Sequence, residues 1–148
     1  MPVEVRIRRI LVTPSCCAVF LDAPDKTFLI HVGRGVGMAI SMAIEHLRPP
    51  RPLSHDLIMN VLAGLGVRVE RVVINNLRGD TFYARLYLRE ESERGTRLVE
   101  VDARPSDCLA LAVQAGASIQ VEESVLDRVE NVRGALEAGE GADESADA

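Results

Sequence analysis

Apolar and polar residues alternate over several short stretches of the chain, and this period of two is typical of a β-strand with one buried face. The alternation predicts seven strands, at residues 3–12, 16–21, 27–32, 67–77, 81–89, 96–102 and 118–121. The first three strands are expected to form an antiparallel meander. The next two are expected to form a hairpin around the turn at 78–80.

Other stretches place apolar residues three and four positions apart, which is the spacing of a helix with one buried side. They predict helices at 36–47, 54–65, 105–115 and 122–132. In the second helix Ser54 is the expected N-cap. The expected buried side of that helix consists of Leu57, Ile58, Val61, Leu62 and Leu65. The whole pattern predicts an α+β fold, in which an antiparallel or mixed sheet carries three to four helices.

The length of 148 residues suits a single compact domain or two related halves that share a core. Residues 134–148 contain five acidic residues and no basic one, which leaves 17 acidic and 17 basic residues in the rest of the chain. We therefore expect a neutral domain at residues 1–132 and a disordered acidic tail at 133–148. The tail either keeps the protein in solution or competes with nucleic acid for arginine side chains.

Composition and spacing exclude several classes of protein. No apolar run reaches the roughly 18 residues of a membrane helix, and the N-terminus lacks a signal-peptide core, so we expect a cytoplasmic protein without a membrane partner. The three cysteines fit neither a disulfide framework nor a zinc site. Gly33, Gly35 and Gly37 precede a helix, but a dinucleotide-binding motif would need its third glycine at Met38. We expect a flexible turn there and no nucleotide cofactor.

Two polar segments share the order Arg-Pro, Ser, Asp, and each lies at the expected start of a helix. They are Arg51–Asp56 and Arg104–Asp107. Free backbone N–H groups and the helix dipole at such a start attract anions. The candidate phosphate-binding residues are Arg51, Ser54, Arg104 and Ser106. The alternative is that the serines and aspartates only cap their helices and the arginines only pair with the aspartates.

Ionisable side chains in these segments are candidates for chemistry. His55 stands beside Asp56 and has the properties of a base, an acid or a ligand near neutral pH. Asp102 ends a strand five residues before Asp107, so the two carboxylates are expected to converge around the turn and hold a divalent cation such as Mg²⁺ or Mn²⁺. The candidate catalytic residues are therefore His55, Asp56, Asp102 and Asp107, with Asp102 and Asp107 as metal ligands.

Three blocks, 51–57, 81–84 and 101–107, resemble the signature blocks of the bifunctional nuclease domain family. The resemblance covers roughly residues 3–130. It implies a compact α+β domain, a homo-oligomer with a dimer favoured, and nuclease activity on RNA and DNA. Val36 occupies a position in the strand-to-helix turn where similar members tend to have an acidic residue. A metal site that uses that carboxylate would lack one ligand in this chain.

Two functions are compatible with these observations. The first is a metal-assisted phosphodiesterase, a hydrolase that acts on RNA or DNA, in which the arginines clamp phosphate and His55 moves a proton. The second is a non-enzymatic oligomeric binding or regulatory module, whose polar segments only cap helices and join subunits. The neutral domain and the aromatic content of 3%, which leaves few side chains for stacking on bases, favour the second.

Overall fold

The structure is a computed structural model that describes the backbone of residues 1–146 and the side chains of residues 1–141. Its strands are β1 (Val3–Val12), β2 (Cys17–Asp22), β3 (Thr27–Val32), β4 (Val67–Arg78), β5 (Thr81–Ser92), β6 (Gly95–Ala103) and β7 (Ser118–Val121). They form one sheet in the order β3-β2-β1-β7-β4-β5-β6. Neighbouring strands are antiparallel except β4 and β7, which are parallel.

The helices of the described chain are α1 (Arg34–Ile44), α2 (Ser54–Gly64), α3 (Pro105–Ala115), α4 (Glu123–Leu126) and α5 (Arg133–Ala146). The predicted α+β class and the mixed sheet are confirmed, and the described residues hold one helix more than the upper predicted number. One continuous sheet joins the first and second halves of the chain, so the two share a single core. None of the described helices is long and apolar enough to cross a membrane.

The sheet buries its two faces under different helices. Along β2, alternate residues point to opposite faces, as the pleat requires. Cys17, Val19 and Leu21 belong to the main core, together with residues of α1 and α3. Ala18 and Phe20 belong to a smaller cluster on the other face, where Leu136 of α5 covers them.

Helix α3 lies at the centre of the main core, and this location fixes the polar residues at its start. Residues 108–112 are all buried, because α3 packs between the sheet and its neighbouring helices. Pro105 is the first residue of α3, where its missing N–H is no loss. Gly116 ends the helix in the left-handed conformation at φ 64° and leads directly into β7.

Helix α1 differs from its prediction at both ends. It begins at Arg34, so Gly35 and Gly37 lie inside the helix and do not form a flexible turn. It stops at Ile44, and not near Leu47, because His46 takes a positive φ of 57° and prolines follow at 49 and 50.

Helix α2 turns most of its predicted buried stripe outward, which corrects the predicted buried side at every position except Leu62. Leu57, Val61 and Leu65 are exposed by 57%, 51% and 68%. The inward side carries His55 and Met59 in addition to Leu62. The N-cap is Leu53 and not Ser54, because the carboxylate of Asp56 accepts the Leu53 N–H and starts the helix one residue earlier.

The segment after β7 also departs from the prediction. The expected helix at 122–132 is only the single turn α4. Residues 133–146, expected to form part of a disordered tail, continue as α5, because Leu136 is buried against β2 and Glu140 accepts a hydrogen bond of 2.8 Å from Arg8. Residues 147 and 148 of the predicted tail lie outside the described residues, and the domain boundary at 132 stays a prediction.

Candidate functional site

His55 is held between two helices. It is the second residue of α2 and is almost fully buried, with 11% of its side chain exposed. Its Nε2 atom lies 2.9 Å from Oδ1 of Asp107 in α3. This contact joins the two polar segments that the sequence singled out, although they are far apart along the chain.

Asp107 binds two partners at once. It lies in the first turn of α3, and its Oδ2 accepts a hydrogen bond of 2.8 Å from Nε of Arg104. Its Oδ1 accepts a second, longer bond of 3.2 Å from Nη2 of Arg104, in addition to the contact with His55. Burial by itself would raise the pKa of Asp107, but the hydrogen bonds from Arg104 and His55 outweigh it and hold the pKa below its usual value.

Arg104 connects the buried pair to the solvent. It is the N-cap residue of α3, and 71% of its side chain is exposed. The hydrogen bond and the charge of Asp107 raise the pKa of Arg104, so its guanidinium stays positive at every accessible pH. The line Arg104–Asp107–His55 therefore runs from a surface cation through a carboxylate to a buried imidazole.

The other residues of the two segments have different surroundings. Asp56 caps α2 by accepting the Leu53 N–H at 2.9 Å, as the capping alternative predicts. Ser54 and Arg51 are exposed, and Ser106 is half-buried in the first turn of α3. No side-chain hydrogen bond or ion pair holds these three residues within the described part of the chain.

Asp102 lies on a different element from Asp107. It lies in β6 opposite Arg85 of β5, and cross-strand neighbours point to the same face. The next residue of β5, Leu86, points into the main core with α3, so Asp102 and Arg85 point away from it. Among the described residues no three His, Cys, Asp or Glu side chains are grouped as metal ligands.

A cavity of about 500 Å³ lies beside His55. Its walls come from the end of α1, the proline-rich connector, α2 and α3. The sequence analysis missed this cavity and its residues Asn60 and Gln114. The sequence feature that could have indicated the cavity is the connector. Its residues 49, 50 and 52 are prolines, which keep the chain extended and away from the helices.

Cys108 follows Asp107 but has no part in the site. Its side chain is fully buried, and this burial, reinforced by the charges of Asp107 and Asp102, raises the pKa of the thiol to about 12. A thiol that stays protonated is a poor nucleophile. Cys108 is therefore a packing residue.

Comparison with known proteins gives one family match and several relatives. A family model described as the bifunctional nuclease domain matches residues 19–133, which include both polar segments. An uncharacterized protein of Mycobacterium tuberculosis strain H37Rv is 40% identical over 102 residues, covering 69% of this chain and 58% of the relative.

Two plant proteins are more distant relatives. Bifunctional nuclease 1 of Oryza sativa subsp. japonica is 26% identical over 104 residues, covering 70% of this chain and 31% of the relative. Bifunctional nuclease 2 of the same subspecies is 29% identical over 102 residues, covering 66% of this chain and 31% of the relative. The matched region therefore spans somewhat more than half of the mycobacterial relative and about a third of the plant proteins.

Proposed function

Since this chain belongs to the bifunctional nuclease domain family, we propose that it is a phosphodiesterase that hydrolyses RNA or DNA. The observation that carries the proposal is the 2.9 Å contact between His55 and Asp107, backed by Arg104. A buried imidazole held by an ionised carboxylate is an arrangement suited to acid–base catalysis. An arginine beside it supplies the positive charge that a phosphate group requires.

His55 is the proton carrier in this proposal. Oδ1 of Asp107, an ionised carboxylate, accepts a hydrogen bond from the Nε2–H of His55, and the tautomer with its proton on Nε2 has Nδ1 as the proton acceptor. No described residue bonds to Nδ1. The Nδ1 atom takes a proton from the attacking water, whose oxygen bonds to phosphorus as the bond to the leaving oxygen breaks. The imidazolium then gives that proton to the leaving oxygen.

Asp107 and Arg104 support this exchange in different ways. Asp107 stabilises the positive charge that His55 gains and keeps the ring in one orientation. Arg104 binds Asp107 through Nε and Nη2, which leaves Nη1 for a phosphate oxygen. Arg51, Ser54 and Ser106 stand at the same two helix starts, where free backbone N–H groups add to the attraction for phosphate.

A divalent cation, Mg²⁺ or Mn²⁺, stays part of the proposal as a cofactor. The oxygens of Asp107 are already bound by Arg104 and His55. An ion would supply charge neutralisation on the phosphate. The proton transfers above use only residues of this chain.

The test is a nuclease assay of the purified protein on single-stranded RNA and DNA, with Mg²⁺, Mn²⁺ or EDTA. We expect cleavage that His55→Ala reduces by roughly 10²- to 10⁴-fold. Loss of cleavage in EDTA would assign the metal a part in the reaction. Cleavage that survives both His55→Ala and EDTA would come from a contaminant and would defeat the proposal.

The outward stripe of α2 favours a second function, that of an oligomeric binding or regulatory module. Leu57, Val61 and Leu65 lie four residues apart on one side of α2, and the helix has no charged residue except Asp56 in its first turn. Large uncharged apolar faces on a protein surface mark interaction sites. The module needs only this face and a stable fold, without catalysis.

A second copy of this chain is the occupant that best fits the stripe. Leucine, valine and leucine follow each other symmetrically about Val61, so an antiparallel two-fold pairing sets Leu57 of one copy against Leu65 of the other. The antiparallel helix dipoles attract each other in that arrangement. The proposed dimer is thus compatible with either function.

Arg104→Ala separates the two functions. In a phosphodiesterase it removes most activity at an almost unchanged melting temperature, because the guanidinium is mainly exposed. In a module without catalysis there is no cleavage to lose, so the variant changes no activity. A large loss of activity without loss of stability therefore contradicts the second function.

A further inference from the structure

The cavity beside His55 has two chemically distinct kinds of wall. One part is apolar and comes from Met42, Pro49, Leu53 and Met59. These side chains lie on three different segments, α1, the connector and α2. Together they offer flat apolar surfaces to an occupant that enters between the connector and the helices.

The second kind of wall consists of side-chain amides. Asn60 projects from α2 and Gln114 from α3, and both line the cavity. Neither amide has a side-chain hydrogen bond to any residue that the structure describes. Each offers one acceptor and two donor hydrogens, so the pair is able to bind an edge that mixes donors and acceptors.

One arginine and one aspartate line the cavity, together with two histidines. Arg48 lies at its rim on the connector. The one carboxylate in the lining is that of Asp56, which already accepts the Leu53 N–H. His55 lines the same cavity, so an occupant lies beside this residue.

We propose that this cavity binds the base of the nucleotide adjoining the phosphate that His55 acts on. A nucleobase has two apolar faces and an edge of mixed donors and acceptors, which match the apolar walls and the two amides. The volume of about 500 Å³ exceeds the lower limit for small-molecule sites and holds one nucleotide. The inference deepens the proposed phosphodiesterase function and rests on it for the phosphate position.

The same chemistry predicts tolerance among the four bases. Met42 and Met59 are unbranched and adapt to different ring shapes. Each amide can present either its oxygen or its nitrogen to the base edge. The site therefore favours a ligand that carries a base, but it does not discriminate among the four bases.

The test measures binding of AMP, GMP, CMP and UMP to the full chain by isothermal titration calorimetry in EDTA. Ribose 5-phosphate is the control, because it keeps the sugar and the phosphate and lacks the base. We expect all four nucleotides to bind at least about tenfold more tightly than ribose 5-phosphate, because the cavity buries the apolar surface of the base. Equal affinity for the nucleotides and ribose 5-phosphate overturns the proposal.

Variants locate the binding. Asn60→Ala and Gln114→Ala are expected to weaken nucleotide binding roughly three- to tenfold, the effect of one lost hydrogen bond, without weakening ribose 5-phosphate. Ser41→Ala is the matched control, since Ser41 lies in α1 and outside the cavity lining. Nucleotide binding that neither amide variant changes also overturns the proposal.

A parallel nuclease assay keeps this proposal separate from the function it rests on. If the protein cleaves RNA or DNA but binds no nucleotide at millimolar concentration, the base-site proposal is overturned and the proposed phosphodiesterase function is not. If nucleotides bind in a way that depends on Asn60 and Gln114 but the protein cleaves nothing, the cavity is a base site and the phosphodiesterase function is overturned.

Discussion

His55 Nε2 and Asp107 Oδ1 lie 2.9 Å apart, although 52 positions separate the two residues in the chain. Each belongs to one of the two Arg-Pro segments, so the fold brings both helix starts to one place. The contact leaves His55 with one bound and one available nitrogen, and it leaves Asp107 shared between an imidazole and a guanidinium. A role in capping alone would not require the two segments to meet.

The first prediction concerns the charge of Asp107. Asp107→Asn keeps the size of the side chain but removes the negative charge that stabilises protonated His55. We expect kcat for RNA cleavage to fall by roughly 10²- to 10⁴-fold, with little change in KM. Asp56→Asn is the control, because Asp56 holds the Leu53 N–H and an asparagine there also caps a helix. Equal losses in the two variants would contradict the role given to Asp107.

The second prediction concerns the pH dependence of stability. The hydrogen bonds from Arg104 and His55 lower the pKa of Asp107 in the folded chain, while an unfolded aspartate has a pKa of about 3.9. The stability from this ionised carboxylate is therefore fully present above about pH 4 and is lost as the pH falls through the lower folded value. The urea midpoint of the native protein should fall below pH 4 more steeply than that of Asp107→Asn. A difference in urea midpoint between the native protein and Asp107→Asn that stays the same at every pH would contradict this contribution of Asp107.

The strands and the class of fold could be predicted because alternation of apolar and polar residues indicates a half-buried strand and not a helix. Residues 27–32, for example, are predicted and observed as the same strand. The orientation of α2 could not be predicted in the same way. Its sequence has two sets of apolar residues at helical spacing, and only packing against α3 and β4 decides which set turns inward.

The residues of the site could be predicted from the sequence, but the contacts between them could not. His55, Asp107 and Arg104 were all candidates, since polar residues at two similar helix starts mark anion sites. The pairing of Asp102 with Asp107 stays a prediction, because proximity along the chain does not show which face of the sheet a strand residue takes. One residue of register moves a side chain to the opposite face, and Asp102 shares its face with Arg85.

The third prediction tests the proposed dimer through the stripe on α2. Val61→Glu places a charge at the centre of the Leu57–Val61–Leu65 stripe, where antiparallel pairing would bury it against the same charge of the other copy. We expect the dissociation constant of the dimer to rise at least about 100-fold, from the cost of several kcal/mol for like charges in an interface. Light scattering with size-exclusion chromatography measures the mass. Leu98→Glu is the control, since Leu98 is also an exposed apolar residue but lies on β6. A mass unchanged by Val61→Glu would show that α2 does not form the interface.

The last prediction compares two glycines of α1 that the sequence pattern could not tell apart. Gly37 packs against Cys17, and an added Cβ would lie 2.7 Å from the Cβ of Cys17, far inside normal contact distance. Gly37→Ala should therefore lower the free energy of unfolding by about 1–3 kcal/mol, the usual cost of overpacking. Gly35→Ala has open space around the new methyl group and should raise the free energy of unfolding by about 0.5–1 kcal/mol, since alanine favours a helix. Urea denaturation of both variants measures the difference. Equal stabilisation by the two substitutions would show that α1 does not approach β2 as closely as the structure describes, and the end of α1 that lines the cavity would then be displaced as well.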